Sequence, residues 1–150
     1  MAVTVSNFLA DVLFFIKNDL SNNIDDPKSD SREGNSAFVM TSYPKRNVIY
    51  PLITLKIPNV NATRAGMQTT AMDIVVPVEV RIWALDEKTK DDLYNEIFDR
   101  LRNIQFSTGG SIDNNLHDFQ LLSAVEVDED GENATKSRVI TVQYSFFNVN

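Results

Sequence analysis

Residues 72–84 read Met-Asp-Ile-Val-Val-Pro-Val-Glu-Val-Arg-Ile-Trp-Ala, and this stretch decides the fold. Apolar side chains occupy every second position: Ile74, Val76, Val78, Val80, Ile82 and Ala84. The intervening positions include three charged residues, at 73, 79 and 81. Strict alternation over such a length predicts a long strand with one face in the core.

Pro77 lies in the middle of this strand and has no N–H to donate to a neighbouring strand. It predicts a sheet edge, a bulge, or a position whose N–H would have pointed outward. Val75, Pro77 and Trp83 share the face opposite the predicted core. On a sheet with one face in water, this apolar group needs a cover, either a helix of the same chain or another subunit. The three residues are therefore candidates for a subunit interface.

The first segment of the chain predicts an amphipathic helix. Ser6 is a suitable N-cap, and the helix extends to about Asn22. Phe14 and Phe15 widen its apolar stripe beyond what one core face needs. Three interpretations stay open: a helix deep in its own core, aromatic surface that packs on a neighbouring subunit, and insertion into a membrane surface.

Two short strands are predicted before residue 58. Residues 25–36 contain no apolar residue except proline, which predicts a solvated loop. Residues 37–43 and 50–57 then have strand composition, and the turn at 44–47 suits a hairpin. We therefore predict that these two strands pair with each other.

The connection at 58–71 is long for a compact domain, and loops of this length are usually functional or disordered. Several of its side chains offer contact chemistry: Arg64, Met67, Gln68 and Thr70. We predict an arm that contacts a partner subunit. The alternative is a long hairpin, because strand pairing could extend into both ends of the segment.

The second half of the chain predicts a helix and a closing hairpin. Asp86 or Thr89 caps a helix that ends near residue 105. Residues 119–128 and 136–148 form the hairpin across a short acidic turn that contains Asp-Gly. The order α–β–β–β–α–β–β predicts a single α+β domain with a mostly antiparallel sheet of about five strands.

Composition limits the classes of function. The chain has 150 residues, of which 43% are hydrophobic, and this is typical of one globular domain. The net charge of −7 opposes stable binding to nucleic acid. The absence of cysteine excludes disulfides and thiol nucleophiles. No apolar run approaches the length of about 18 residues that a membrane helix needs, so we expect no transmembrane helix, and we expect no membrane among the main partners.

Motifs for catalysis or metal binding are weak. The single imidazole, His117, stands beside Asp118 without a Gly-x-Ser-x-Gly elbow elsewhere in the chain. Carboxylates at 128–132 could suit Ca²⁺, but they lack the EF-hand spacing. Asp91 and Asp92 fit a solvated helix start. We expect no catalytic residue, no cofactor and no metal site.

The order of elements carries a resemblance. An amphipathic helix leads to a strand that begins Tyr50-Pro-Leu-Ile-Thr-Leu, and then to a long arm. The strand Val78-Glu-Val-Arg-Ile-Trp-Ala follows, with a helix directly after it and a closing hairpin. Over nearly its whole length, the chain resembles the tail terminator proteins, also called tail-completion or head–tail joining proteins, of long-tailed phages and related archaeal viruses.

This resemblance implies a virion structural protein assembled in the host cytoplasm. Copies of the chain would form a hexameric ring that caps the tail tube, stops its polymerisation and docks to the head connector or neck protein. DNA would pass through the ring, and the negative charge suits such a lumen. Two alternatives remain: another neck or tail-tube component, and a small cytosolic ligand-binding α+β domain.

Overall fold

The computed structural model describes residues 7–28, 38–42, 49–64, 72–106, 108–111, 116–128 and 136–148. Within them, the helices are α1 (Phe8–Asn23) and α2 (Glu87–Asn103), and a 3-10 turn follows α2 at Ile104–Phe106. The strands are β1 (Val39–Met40), β2 (Leu52–Lys56), β3 (Asn61–Arg64), β4 (Met72–Ala84), β5 (His117–Asp128) and β6 (Lys136–Asn148). The α+β class is confirmed, with six strands instead of about five.

The strands form one mostly antiparallel sheet. Its order is β1-β2-β4-β6-β5, and β3 also pairs with β4. The longest ladder joins the whole of β4 to the whole of β6, from Met72 opposite Asn148 to Ala84 opposite Lys136. Strand β4 therefore lies at the centre of the sheet.

Both helices pack on the same face of the sheet. The alternating apolar residues of β4 are buried, and they share one core with apolar residues of α1 and α2. The helical contributors are Val12, Ile16, Leu20, Leu93, Ile97 and Leu101. We call the helix-covered side the inner face and the opposite side the outer face. No described helix is long and apolar enough to cross a membrane.

Pro77 lies where β4 has a partner strand on one side. Strand β3 pairs with the start of β4 and β2 with its end, so Pro77 falls between them. The Ile53 N–H donates to the Phe38 carbonyl at 2.8 Å, so Ile53 directs its backbone groups toward β1. The backbone groups of Thr54 therefore point toward Arg81 of β4, and those of Arg81 point back toward β2. Backbone direction alternates along a strand, so Pro77, four residues before Arg81, also has its nitrogen on the β2 side of β4. The missing N–H would have pointed into the gap, which confirms one of the three predicted placements.

The predicted hairpin of the first two strands is wrong. Strand β1 pairs with β2 in parallel, with Val39 opposite Ile53 and Met40 opposite Thr54. A segment of two paired residues carries no signal for strand direction. The connection at 41–51 is long enough to return the chain to the same end of the sheet, which a parallel pairing requires.

The segment at 58–71 contains a strand. Residues 58–60 have no regular structure, and Asn61–Arg64 then form β3, antiparallel to Met72–Val75, so strand pairing extends into the first half of the segment, as the alternative of a long hairpin predicts. The remainder, 65–71, lies outside the described residues, as do the predicted turns at 44–47 and 129–132.

The two helix starts differ in their capping. Helix α1 begins after Asn7, one residue later than a Ser6 cap would place it, and the Asn7 side chain makes no capping hydrogen bond. At α2 the Asp86 carboxylate accepts a hydrogen bond from the Thr89 N–H at 3.1 Å. Of the two predicted caps for α2, Asp86 is the one that the fold uses.

Candidate assembly surfaces

Trp83 is a rigid aromatic group on the outer face. Its indole Nε1 donates to Thr54 Oγ1 at 3.0 Å, and the Arg81 guanidinium carbon lies 3.9 Å from the ring centroid. Arg81 Nη2 also donates to Ser137 Oγ at 3.2 Å. These contacts fix the indole while leaving part of it exposed. An ordered Trp stacked with Arg is a combination that is common at protein interfaces.

The other two predicted residues on this face differ in their exposure. Val75 is half-buried, whereas Pro77 is buried and offers little surface to a partner. A groove of about 380 Å³ lies beside Arg81 and Trp83. Its remaining walls are largely polar: Thr41, Ser42, Thr54, Leu55, Lys56, Glu79 and Val139. The outer face thus combines one aromatic anchor with a polar surround.

A second apolar group on the outer face was not predicted from the sequence. Val125 and Val127 of β5 expose 54% and 37% of their surface, and Leu122, at the register shift between Leu121 and Ser123, exposes 50%. Val125 lies opposite Val139 of β6, on the outer face. Both alternating rows of β5 contain apolar residues, so the sequence pattern alone does not decide which row faces the core. We call the row Ser123, Val125 and Val127 the β5 outer row.

An ion-pair cluster around Lys90 explains why Glu126 occupies the inner row of β5. The Lys90 side chain is fully buried, and its Nζ lies 2.6 Å from Glu87 Oε2 and 2.5 Å from Glu126 Oε1. Arg138 Nη2 donates to Glu126 at 2.9 Å and lies 3.5 Å from Asp91. Burial lowers the pKa of Lys90, but hydrogen bonds to the two carboxylates outweigh it and the pKa is raised. The cluster ties α2 to β5 and β6.

The same carboxylates also resemble a metal site. Glu87, Asp91 and Glu126 can bring one oxygen each within 4.8 Å of one another. Lys90 and Arg138 already lie among these oxygens and supply the positive charge that a metal ion would otherwise supply. The hydrogen bond from Lys90 is also the main reason that the pKa of Glu126 is lowered. The arrangement is therefore explained as a structural ion-pair cluster.

His117, the residue examined for catalysis, begins β5 at the sheet edge. It is exposed and lies opposite Ser145 of β6. Asp118 follows it with a positive φ of 54°, a conformation that Asp adopts more readily than most residues.

Phe14 and Phe15 have different environments. Phe14 is 56% exposed, whereas Phe15 is half-buried and packs against the core. Helix α1 is held to α2 by an ion pair: Arg100 Nη2 lies 2.6 Å from Asp19 Oδ1, and Arg100 Nε donates to Oδ2 at 3.0 Å. Hydrogen bonding to Asp19 raises the pKa of Arg100. Phe14 is thus an exposed aromatic side chain on a firmly docked helix.

The predicted arm is described at its first residue alone. Arg64 ends β3, with its backbone opposite Met72. Met67, Gln68 and Thr70 lie outside the described residues. Among the predicted interface residues, Trp83 and Val75 share the outer face, Phe14 lies on the helix layer, and the sheet separates the two groups.

Comparisons with known proteins give no family for the chain. Neither a scan against protein-family models nor a search of curated proteins finds a match.

Proposed function

We propose that the chain is a virion structural protein, a tail terminator. Six copies form a ring that caps the tail tube, stops its polymerisation and joins the tail to the head connector. The proposal starts from the resemblance in the order of elements. Its partners are other copies of the chain, the tail tube protein and a connector or neck protein. DNA passes through the ring without sequence-specific contacts.

The observation that carries the proposal is the outer face of the sheet. Both described helices pack on the inner face, and on the outer face Val125 is exposed while Trp83 and Val75 are partly exposed. Phe14 is exposed on the helix layer. A cyclic ring needs two different patches that meet across each contact, and apolar groups on two opposite sides of the subunit supply such a pair.

The charge of the chain supports the same proposal. A net charge of −7 weakens adhesion to the phosphate backbone, which favours a lumen through which DNA slides. The fixed geometry of Trp83 and Arg81 suits a contact that must form repeatedly around a ring, since ordered side chains lose little entropy on binding.

The first experiment measures the mass of the purified chain by light scattering over a range of concentrations, with negative-stain imaging of the same samples. A second set of samples contains purified tail tubes. Rings of about six subunits, or subunits that collect at tube ends, support the proposal. A chain that stays monomeric at all concentrations and does not bind tail tubes contradicts the proposal.

Two substitutions identify the surfaces involved. Trp83→Ala removes the aromatic anchor of the outer face, and Phe14→Ser removes the exposed aromatic of the helix layer. Each should reduce ring formation at least tenfold while the urea midpoint of Phe14→Ser stays near that of the parent. Lys88→Ala is the matched control, because Lys88 is exposed and pairs with Asp92 on the surface of α2. Rings that tolerate both aromatic substitutions would exclude these surfaces.

A further inference from the structure

Strand β5 is a long edge strand. In the described part of the chain it pairs with β6 on one side, and it stands last in the strand order. Its 12 residues, His117–Asp128, include no proline and no lysine. Natural edge strands of this length usually carry such residues, bulges or inward-pointing charges, or are covered, because unpaired N–H and C=O groups invite pairing with another chain. Strand β5 has an irregular register before Ser123 and Glu126 on its inner face, so its regular outer row at 123–127 is the part suited to pairing.

The pairing along the sheet fixes which groups of β5 point outward. Arg81 directs its backbone groups toward β2, so Val80 directs its groups toward Ile140 of β6. Val139, the neighbour of Ile140, then directs its groups toward Val125 of β5. It follows that the backbone groups of residues 124 and 126 point toward the open edge. The carbonyl of residue 124 has one long contact there, with Arg138 Nη1 at 3.4 Å.

We propose that β5 pairs with β5 of a second copy of this chain, antiparallel, about a two-fold axis at Val125. Val125 then lies opposite Val125 of the second copy, Ala124 opposite Glu126, and Ser123 opposite Val127. Ala124 and Glu126 exchange hydrogen bonds, because their backbone groups are the ones that point outward. The two Val125 residues form the non-hydrogen-bonded pair, in which side chains approach most closely.

Charge and regularity select this register over its neighbours. Two residues that lie opposite each other have their side chains on the same face of the joined sheet. Side chains alternate between faces along β5, so the two-fold axis must pass through a residue and not between two residues. An axis at Glu126 would set two glutamates against each other, which is unfavourable. An axis at Ala124 would pair the regular segment with the irregular one at 121–123, where the β5–β6 register shifts. An axis at Val125 keeps the two glutamates apart, brings fewer residues of the irregular segment into the pairing, and leaves the Lys90 cluster on the inner face.

We expect the strand that pairs with β5 to be β5 of a second copy, because two antiparallel copies of this edge match in hydrogen-bonding groups and in side chains. The β5 outer row carries no charge, so two copies of it join as valine against valine or serine. Each copy carries a net charge of −7, so two copies repel at long range, but the pairing of Ser123, Val125 and Val127 brings no charged side chains opposite each other in the β5 outer row. The inference does not rest on the proposed ring, since ring contacts are heterologous and this contact is isologous.

The chain contains no cysteine, which makes cross-linking a direct test. Val125→Cys should give a disulfide-linked dimer in mild oxidant, because the Cα atoms of a non-hydrogen-bonded pair lie about 4.5 Å apart, within the range of about 4.4–6.8 Å found in disulfides. Leu122→Cys is the matched control, since Leu122 is similarly exposed on the same strand but does not face itself in this register. We expect at least a tenfold faster cross-link at 125 than at 122. Equal rates, or none at either position, overturn the proposal.

A second variant tests the edge without oxidation. Val125→Lys places a charge at the axis and should weaken dimerisation at least tenfold in sedimentation equilibrium, while Lys88→Glu on the remote helix surface should not. An unchanged dimer in Val125→Lys contradicts the register. If rings form but the cysteine at 125 does not cross-link, the β5 pairing is wrong and the proposed function still stands. If the cysteine at 125 cross-links but rings never form, the β5 pairing stands and the proposed function is wrong.

Discussion

At the scale of single residues, Lys90 has the least typical environment in the fold. Its ammonium group is fully buried, yet both carboxylates that bind it are about half exposed. Water can therefore hydrate Glu87 and Glu126 if the lysine is lost, which reduces the penalty usually found when one partner of a buried pair is removed. The structural role of Lys90 is to bring α2 against β5.

Lys90→Met tests that role. Methionine keeps most of the apolar stem but loses two charged hydrogen bonds, so we expect a loss of about 2 kcal/mol in the free energy of unfolding. Urea denaturation with a constant m-value measures it. Lys88→Met is the control and should change stability by less than about 0.5 kcal/mol, since its pair with Asp92 is exposed. Equal effects of the two substitutions would show that the cluster contributes little.

For Tyr144 we expect a substitution that does not lower the free energy of unfolding. Its ring packs against Phe119 with 5.5 Å between centroids, and its buried hydroxyl has no hydrogen-bond partner among the described residues. Burial raises the pKa of Tyr144 well above its ordinary value, so the phenol stays neutral. Tyr144→Phe keeps the ring and removes the unsatisfied hydroxyl. Stability should stay unchanged or rise by up to about 1 kcal/mol in thermal unfolding, whereas a clear loss would reveal a partner for the hydroxyl.

At the scale of elements, the ion pair between Asp19 and Arg100 joins the two helices. The Asp19 side chain is 9% exposed and Arg100 holds it through two nitrogens. A double-mutant cycle with Asp19→Asn and Arg100→Gln should give a coupling energy of about 1 kcal/mol. The same cycle on Lys88 and Asp92 should give about 0.3 kcal/mol, because that pair is exposed. Similar coupling energies would mean that helix docking depends on apolar packing alone.

The elements whose bounds could be predicted are those in which apolar residues repeat with one period over many positions. Strand β4 has its predicted bounds, 72–84, because thirteen positions repeat one alternation. The two residues of β1 and the four of β3 are too short to carry such a signal, and their direction and pairing depend on contacts far along the chain. The inward position of Glu126 depends on Lys90, 36 residues away, so no local pattern could reveal it.

The same limits apply to the candidate surfaces. Trp83 and Val75 could be placed on the outer face because they belong to the clear alternation of β4. The exposure of Val125 could not be predicted, because it requires knowing that β5 is the last strand of the sheet. Phe14 and Phe15 point about 100° apart on a helix, and their different burial follows from that spacing: Phe14 lies opposite the buried stripe of α1, whereas Phe15 lies beside it.

At the scale of the whole molecule, charge and apolar surface act in opposite directions on assembly. Every subunit carries a net charge of −7, so subunits repel one another at long range, while Trp83, Phe14 and Val125 favour contact at short range. Salt screens the first effect, because the Debye length falls from about 10 Å at 0.1 M to about 3 Å at 1 M. It leaves apolar burial in place. The balance between the two therefore depends on ionic strength.

We accordingly predict that NaCl promotes assembly. Between about 0.1 M and about 1 M NaCl, the concentration needed for half-assembly in light scattering should fall at least threefold, because screening removes the mutual repulsion. The urea midpoint measured over the same range separates an effect on folding from an effect on association. A contact dominated by exposed ion pairs would respond in the reverse direction, since salt weakens such pairs. Assembly that declines as salt rises would thus assign the contacts to the charged rims of the two faces and exclude Trp83, Phe14 and Val125 as their main source.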